Sequence, residues 1–200
     1  MRRAWLCAPM ILLCVLLTAC GQGEAGGRAA EKLALEIRTE YLAMTGCTAE
    51  LNMTADYGER VYDYGMKLVW VKETGTLLTL VSPEDVAGVA IHIKAGQTVL
   101  EYDGARIETG PLSPGGLSPI DAVPMLLTYI REGFIAACTM ERTDERDLLR
   151  MDCRDPEADG GTGTEVSLWF DAGNHGLVKG EISVDGFTVI CCNVTSFQMA

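Results

Sequence analysis

The sequence predicts an α+β protein in which one strongly curved antiparallel sheet of about 10–11 strands wraps over two helices. Apolar and polar side chains alternate over most of the chain, which is the period of half-buried strands. Two stretches, at residues 28–44 and 118–132, instead carry apolar residues at steps of three and four, which is the period of a helix. Turn residues separate the alternating runs, so we expect neighbouring strands to be antiparallel.

The first 20 residues have the pattern of an export signal. Met1-Arg2-Arg3 precedes an apolar run from Ala4 to Leu17, and the run ends in Leu17-Thr18-Ala19-Cys20. That run has 14 residues, whereas a membrane-spanning helix needs about 20. We therefore interpret residues 1–19 as a signal that is removed from the mature protein.

The Leu-Thr-Ala-Cys ending resembles the lipobox of bacterial lipoproteins. This resemblance implies that the thiol of Cys20 carries a lipid and that Cys20 becomes the first residue. The rest of the chain would then be anchored to the cell membrane on its extracytoplasmic side. An ordinary signal cut after Ala19 and an uncleaved anchor are the two alternatives.

The chain is strongly acidic. Its formal net charge is −12, and it becomes −14 without residues 1–19, which contain Arg2 and Arg3 but no acidic residue. Nucleic acids and anionic lipid surfaces both attract Lys and Arg patches. The charge therefore argues against nucleic acid as a partner, and it leaves the lipid anchor as the means of membrane attachment.

Residues 20–44 divide into a tether and a helix. Gly21–Gly27 contains four glycines and no large apolar side chain, so with Cys20 it is expected to form a flexible tether. The folded domain is accordingly expected to span residues 28–200. A single apolar stripe predicts a core-facing helix from Arg28 to Met44. Its members are Ala30, Leu33, Ile37, Tyr41 and Met44.

Strands are predicted on both sides of a mid-chain helix. Asp185-Gly186 between two alternating runs is the strongest hairpin signal. The predicted strands are Cys47–Tyr57, Val61–Lys72, Thr76–Val81, Gly88–Ile93, Thr98–Tyr102, Arg106–Glu108, Phe134–Arg142, Asp147–Arg154, Thr164–Asp171, Gly176–Val184 and Phe187–Phe197.

The mid-chain helix has clear end signals and one internal obstacle. Ser118 is suited to the N-cap, Pro119 to the first helical position, and Gly133 to the stop. Pro124 lacks the N–H that would bond the carbonyl of Ile120. We therefore expect a distorted first turn or a later start.

The order of these elements resembles the LolA-like half-barrel. The residues that carry the resemblance are Gly65–Trp70 with Ser82-Pro83, and Leu100–Gly104. More narrowly, Ser82–Val89 and Leu117–Pro124 resemble small lipoproteins of spore-forming clostridia. That fold includes lipoprotein carriers and lipid-handling lipoproteins, and one clostridial group acts in germination by partnering a cell-wall amidase.

The resemblance implies a hydrophobic cavity on the concave face, with the mid-chain helix as a lid. A cavity of this kind would hold lipid or a lipidated protein. The alternative is that helices and side chains fill the space. The candidate lining residues are Met53, Tyr64, Met66, Leu68, Trp70, Leu127, Ile130 and Trp169, and Leu80 and Phe187 are also predicted to face inward.

Five cysteines remain after Cys20 and the two in the signal. A hairpin centred near Glu145–Arg146 would bring Cys138 and Cys153 close to opposite each other, so a disulfide and two free thiols are both compatible with the sequence. Cys191 and Cys192 are adjacent and should point to opposite faces of a strand. At most one of these two is expected to pair, with Cys47 as the candidate.

Catalysis has little support in the sequence. His92 is predicted to face outward from a strand and His175 to lie in a turn. Asp155–Gly160 matches the opening of a calcium loop, but position 12 is Val166 where a bidentate Glu is needed. We therefore expect a solvated loop, no metal, no cofactor and no enzymatic activity.

Two functions remain. One is an anchored lipoprotein that binds a hydrophobic ligand in its concave face. The other is a non-enzymatic adaptor that docks on and regulates a cell-envelope enzyme, such as a cell-wall amidase in spore germination. The expected partners are therefore lipid, lipidated protein or an envelope protein.

Overall fold

The computed structural model describes residues 21–110 and 117–200, with side chains described from Gly26 onward. Two helices and eleven strands make up this part of the chain. The helices are α1 (Gly21–Ala43) and α2 (Pro119–Glu132). The strands are β1 (Gly46–Asp56), β2 (Val61–Val71), β3 (Gly75–Ser82), β4 (Ala90–Lys94), β5 (Gln97–Tyr102), β6 (Ala105–Glu108), β7 (Ile135–Arg142), β8 (Asp147–Cys153), β9 (Thr164–Asp171), β10 (Leu177–Val184) and β11 (Phe187–Met199).

All eleven strands form one antiparallel sheet that does not close into a barrel. Their order is β6-β5-β4-β3-β2-β1-β11-β10-β9-β8-β7. Consecutive strands pair within each half, and the two halves join where β1 pairs with β11. Helix α2 follows β6 at one edge and leads into β7 at the other edge. The predicted α+β class, a curved sheet over two helices, is confirmed.

Helix α1 packs along the second half of the sheet, mainly against β7. The predicted apolar stripe is confirmed, because Ala30, Ile37, Tyr41 and Met44 are buried and Leu33 packs against them. The helix begins at Gly21, so the structure differs here from the tether predicted over Gly21–Gly27. A nucleated helix extends by one hydrogen bond per added residue, which allows it to continue into a segment of weak propensity.

Helix α2 has the predicted ends. The Ile120 N–H donates to Ser118 Oγ at 3.3 Å, and Gly133 ends the helix in an extended conformation. Pro124 lies inside the helix without ending it. Proline removes one intrahelical hydrogen bond, and the Ala122 N–H still reaches Ser118 O at 2.9 Å.

One face of α2 packs tightly on the sheet. Ala122, Val123, Leu126, Leu127 and Ile130 are all buried. The side chain of Leu126 lies directly over Gly180 on β10, where an added Cβ would stand 2.8 Å from a Leu126 methyl carbon. Glycine at this position therefore sets how closely α2 approaches the sheet.

Arg38 of α1 joins the two helices. Its Nε donates to Ile130 O at 2.9 Å, and a terminal nitrogen donates to Tyr129 O at 3.4 Å. Both carbonyls belong to the last turn of α2, where the helix dipole favours a cation. The Tyr129 carbonyl also accepts from the Gly133 N–H at 3.0 Å. The sequence placed Arg38 off the apolar stripe, but its guanidinium satisfies the end of the second helix.

We expect Arg38→Ala to lower the free energy of unfolding by about 1.5–3 kcal/mol, because buried carbonyls lose a charged donor. Urea denaturation of residues 21–200 measures this change. Lys32→Ala is the control, since the Lys32–Glu36 pair on the same helix is exposed and should contribute less than about 0.5 kcal/mol. Equal losses for both variants would contradict the linking role of Arg38.

Candidate functional site

Most of the predicted cavity residues lie together in the core. Met53, Met66 and Leu68 on the sheet are buried, as are Leu127 and Ile130 on α2. Tyr64 and Trp70 are partly buried and pack against this core. These seven side chains, together with Leu80, lie in the core on the side of the sheet that the helices cover, and their role in binding a ligand stays a prediction.

Little space remains between α2 and the sheet. The apolar gap there has a volume of about 10 Å³, bordered by residues that include Leu68, Val123, Leu126 and Phe197. A water molecule needs about 10–15 Å³, and pockets for drug-sized ligands measure roughly 300–1,000 Å³. In this conformation the helices fill the concave face beneath α2, which is the alternative that the sequence left open.

Larger hollows lie at the surface of the described residues. One of about 280 Å³ is bordered by polar side chains of β8 and β9, including Arg150, Asp152 and Ser167. Another of about 240 Å³ lies between α1 and the edge strand β7, beside Leu35 and Cys138. Neither is part of the cavity that the sequence predicts.

Trp169 does not line the concave face, so its predicted role is wrong. Its neighbours on β9, Leu168 and Phe170, are fully buried, and Phe170 contacts Tyr41 of α1. A strand points successive side chains to opposite faces, so the inward register of Leu168 and Phe170 places Trp169 on the convex face. The alternation of Val166, Leu168 and Phe170 with Glu165, Ser167 and Asp171 was the signal in the sequence that assigns Trp169 to the polar face.

Charged side chains cover Trp169 on the convex face. The Arg150 guanidinium and the Lys179 ammonium lie 5.1 and 4.7 Å from its ring centre. The indole N–H donates to Glu141 Oε2 at 2.9 Å. These contacts explain why a convex-face tryptophan is only 8% exposed, and they give it a structural role.

Phe187 does not lie in the core. The sequence predicts it as an inward core residue, but 77% of it is exposed. The register between β10 and β11 shifts after Ile182, so Ile182 pairs with Ile190 while Val184 pairs with Phe187. Phe187 therefore lies at the tip of the β10–β11 hairpin, beyond the two helices.

Three tyrosines cluster at the β1–β2 hairpin. The ring centres of Tyr57 and Tyr62 are 6.2 Å apart, and those of Tyr62 and Tyr64 are 6.4 Å apart. The Tyr57 hydroxyl donates to the carbonyl oxygen of Leu117, just before α2. Of these three, only Tyr64 is among the residues predicted to line the cavity. The density of tyrosines beside the Gly58 turn is the signal in the sequence for the cluster.

The two histidines have carboxylate partners and no catalytic arrangement around them in the described contacts. His92 Nε2 lies 3.6 Å from Glu101 Oε2 on the exposed sheet surface. His175 Nδ1 lies 2.8 Å from Glu40 Oε2 of α1, and its backbone carbonyl accepts from the Tyr41 hydroxyl at 3.2 Å. His175 therefore fixes the end of α1 to the β9–β10 turn.

All five cysteines of the described residues are free thiols. Cys138 pairs in register with Met151, and Cys153 pairs with Ile135. Cys138 and Cys153 are therefore diagonal neighbours and not directly opposite, because the hairpin is centred between Asp144 and Glu145. A disulfide between them stays a prediction.

The loop that resembles the start of a calcium site uses its oxygens within the chain. Asp155 Oδ1 accepts from the Glu157 N–H at 2.9 Å, and Glu165 Oε1 accepts from the Gly161 N–H at 2.9 Å. Among residues 21–110 and 117–200, no three His, Cys, Asp or Glu side chains are grouped to hold a metal ion.

Cys20 and the signal lie outside the described residues, so lipidation stays a prediction. Within the part of the chain that is described, neither helix combines the length and the apolar character that crossing a membrane requires.

Comparison with known proteins identifies the fold but not a family. No family model matches the chain, and no curated protein matches it. Among solved structures, an uncharacterized conserved protein from Thermus thermophilus is 8% identical over 86% of this chain and 88% of that chain, with a TM-score of 0.51. LprF from Mycobacterium bovis is 11% identical over 85% and 93%, with a TM-score of 0.50.

Other neighbours include LolA-superfamily and outer membrane lipoprotein-sorting domain proteins, at TM-scores of 0.40 and 0.44. The GerS lipoprotein, from the structure of the CwlD amidase of Clostridioides difficile in complex with GerS, also matches, at 12% identity over 84% of this chain and 94% of that chain, with a TM-score of 0.41. The shared fold rests on the two structures with TM-scores of 0.50 and 0.51, and membership of the clostridial germination group is not confirmed.

Three thiols should be unreactive in the folded protein. Burial raises the pKa of Cys47 and of Cys153 to about 11, and that of Cys192 to about 12. The thiolate is the reactive species. At about pH 8 we therefore expect a maleimide to modify only the half-buried Cys138 and Cys191 in folded residues 21–200, and all five cysteines in urea. Mass spectrometry counts the adducts.

The same pKa values make the stability of the folded protein depend on pH. Each of the three thiols holds its proton more tightly in the folded state, so the stabilisation is complete below the ordinary pKa of 9.0 and is lost as pH rises toward 11–12. A third modified thiol in the folded protein at about pH 8 would contradict this account of the core.

Proposed function

We propose that this protein is an extracytoplasmic lipoprotein, anchored through Cys20, that acts as a non-enzymatic adaptor by docking on a cell-envelope protein. The observation that carries the proposal is the filled concave face. A carrier of this fold needs room for an acyl chain, and the gap beneath α2 measures about 10 Å³. The surface of the molecule is then where binding occurs.

The free energy needed to move α2 away from the sheet favours an adaptor over a lipid carrier. An acyl chain could enter only if α2 moved away and exposed Val123, Leu126, Leu127 and Ile130, which are all buried. Burying one such side chain contributes roughly 1.5–3 kcal/mol. Exposing four would cost roughly 6–12 kcal/mol, which is comparable with the whole stability of a typical domain, about 5–15 kcal/mol. A ligand would have to replace all of this burial.

The side chains that could do chemistry have structural uses. His175 and Glu40 hold α1 to a turn, and the buried thiols are protonated because burial raises the pKa of Cys47 to about 11. Regulation by contact, for example of a cell-wall amidase as the sequence resemblance implies, needs no catalytic group. The lipobox-like ending at Cys20 would keep the adaptor at the membrane, where such enzymes act.

Titration with a fluorescent fatty acid tests the choice between adaptor and carrier. We expect residues 21–200 to give no saturable fluorescence change at micromolar protein, because no acyl-sized space exists beneath α2. Leu126→Ala and Leu127→Ala together, which enlarge that space, are the matched control for detecting uptake. Saturable binding by the unmodified protein, with one probe per chain, would establish lipid carriage and overturn the proposal.

Anchoring is tested separately. In Cys20→Ala the lipid acceptor is absent, so we expect the protein to leave the membrane fraction of cells that express the full chain. Cell fractionation with immunodetection measures this change, and Cys138→Ser is the control that retains Cys20. A Cys20→Ala protein that stays with the membrane would show that anchoring has another cause.

A further inference from the structure

Four aromatic residues lie at one end of the sheet, on its concave side. We call Tyr57, Tyr62, Tyr64 and Phe187 the aromatic rim. Ala55 of β1 pairs with Tyr62 on one side and with Ile190 on the other, so the β1–β2 and β10–β11 hairpins end beside each other. Two strand spacings of about 4.8 Å separate Tyr62 from the strand that carries Phe187.

The tyrosines of the rim are fixed in place. Tyr62 stacks on Tyr64 with an interplanar angle of 15°, and Tyr57 meets Tyr62 edge to face at 62°. The Tyr57 hydroxyl donates a hydrogen bond to the Leu117 carbonyl oxygen, and Arg60 lies beside Tyr62. Rings held in this way lose little conformational freedom when a partner covers them.

The rim is exposed although its residues are large and apolar. Phe187 is 77% exposed, Tyr57 44% and Tyr62 37%. Contiguous exposed apolar surface marks interaction sites, and tyrosine and arginine are enriched among the residues that dominate binding energy. The rim therefore has the composition of the centre of a protein interface.

Carboxylates surround the rim. Asp56 and Glu59 lie at the β1–β2 turn, and Asp185 lies in the β10–β11 turn. The β8–β9 loop joins the same end, because the Gly163 N–H donates to Asp185 Oδ1 at 2.8 Å. That loop adds three exposed carboxylates, which belong to Asp155, Glu157 and Asp159.

Two arginines lie near this end. Arg60 lies beside Tyr62 in the β1–β2 turn, and Arg154 donates to the carbonyl oxygen of Ala158. The six carboxylates around the rim outnumber these two cations and form an acidic collar.

We propose that the aromatic rim is the docking surface for a protein partner, and that the partner presents Lys and Arg residues around an apolar centre. The acidic collar attracts Lys and Arg side chains of the partner, since complementary charge speeds and orients association. The same collar opposes contact with anionic lipid. This inference rests on the proposed adaptor function and names the surface through which it acts.

Site-specific photocrosslinking in the native cells tests the surface. The full chain carries p-benzoylphenylalanine in place of Phe187 or Tyr62, or, as exposed controls, in place of Leu35 or Ile107, which are 61% and 59% exposed. We expect one protein to be captured from the two rim positions and from neither control. Mass spectrometry identifies it, and the purified partner is then the probe for binding.

Binding of that purified partner to the lipidated full-length protein tests the chemistry. Phe187→Ser and Tyr62→Ser should each weaken affinity by about tenfold or more. Glu59→Gln, Glu157→Gln and Asp159→Asn together should weaken it and flatten its dependence on salt. The matched control neutralises Glu73, Asp144 and Glu145, which lie in turns at the opposite end of the sheet, and should leave affinity unchanged. Thermal unfolding verifies that each variant is folded.

Different results would overturn the rim, the partner chemistry and the adaptor function. Protein captured from Leu35 or Ile107 but not from the rim would overturn the rim and leave the adaptor function standing. Capture of lipid from the rim, or affinity that is indifferent to both salt and the three carboxylates, would overturn the proposed partner chemistry. No protein captured at any position, together with saturable fatty acid binding, would overturn the adaptor function itself.

Discussion

The structure depends on covering one apolar face of a single large sheet. Eleven strands in one layer leave a concave surface that must be buried, and two helices supply the cover. Arg38 joins the helices by donating to the last carbonyls of α2. Gly180 lets Leu126 approach the sheet closely. Because these contacts leave about 10 Å³ beneath α2, the geometry that stabilises the fold also limits what the interior can bind.

Because the interior is filled, the proposed function assigns partner binding to the outer surface of the molecule. Tyr41, His175 and Glu40 hold α1 in place by contacts within the fold, and the buried thiols are kept protonated by raised pKa values. By contrast, the hairpin tips expose aromatic side chains that the fold does not need. A protein of this kind presents a rigid surface on a stable frame, which suits an adaptor more than a carrier.

Much of the fold could be predicted, because alternation and turn chemistry are local. Nine of the eleven predicted strands both begin and end at the residue found in the structure or at its neighbour, as β9 and β2 illustrate. The site was predicted less well. Trp169 and Phe187 were both assigned inward, but one faces the convex side beside Arg150 and the other follows a register shift after Ile182. The face of Trp169 follows from the alternation of its neighbours, whereas the bulge before Phe187 leaves no signal in the sequence.

The sequence by itself determined the elements, the acidic surface and the apolar stripe of α1, since each follows from residue order within one segment. Only the tertiary structure decided how full the concave face is, because that depends on how closely α2 lies on β10, a distance set by Gly180 and Leu126 from segments far apart in the chain. It also decided which aromatic residues meet at the rim. Tyr57 and Phe187 lie at the same end of the sheet because β1 pairs with β11, and the pairing of distant strands leaves no periodic signal in the sequence.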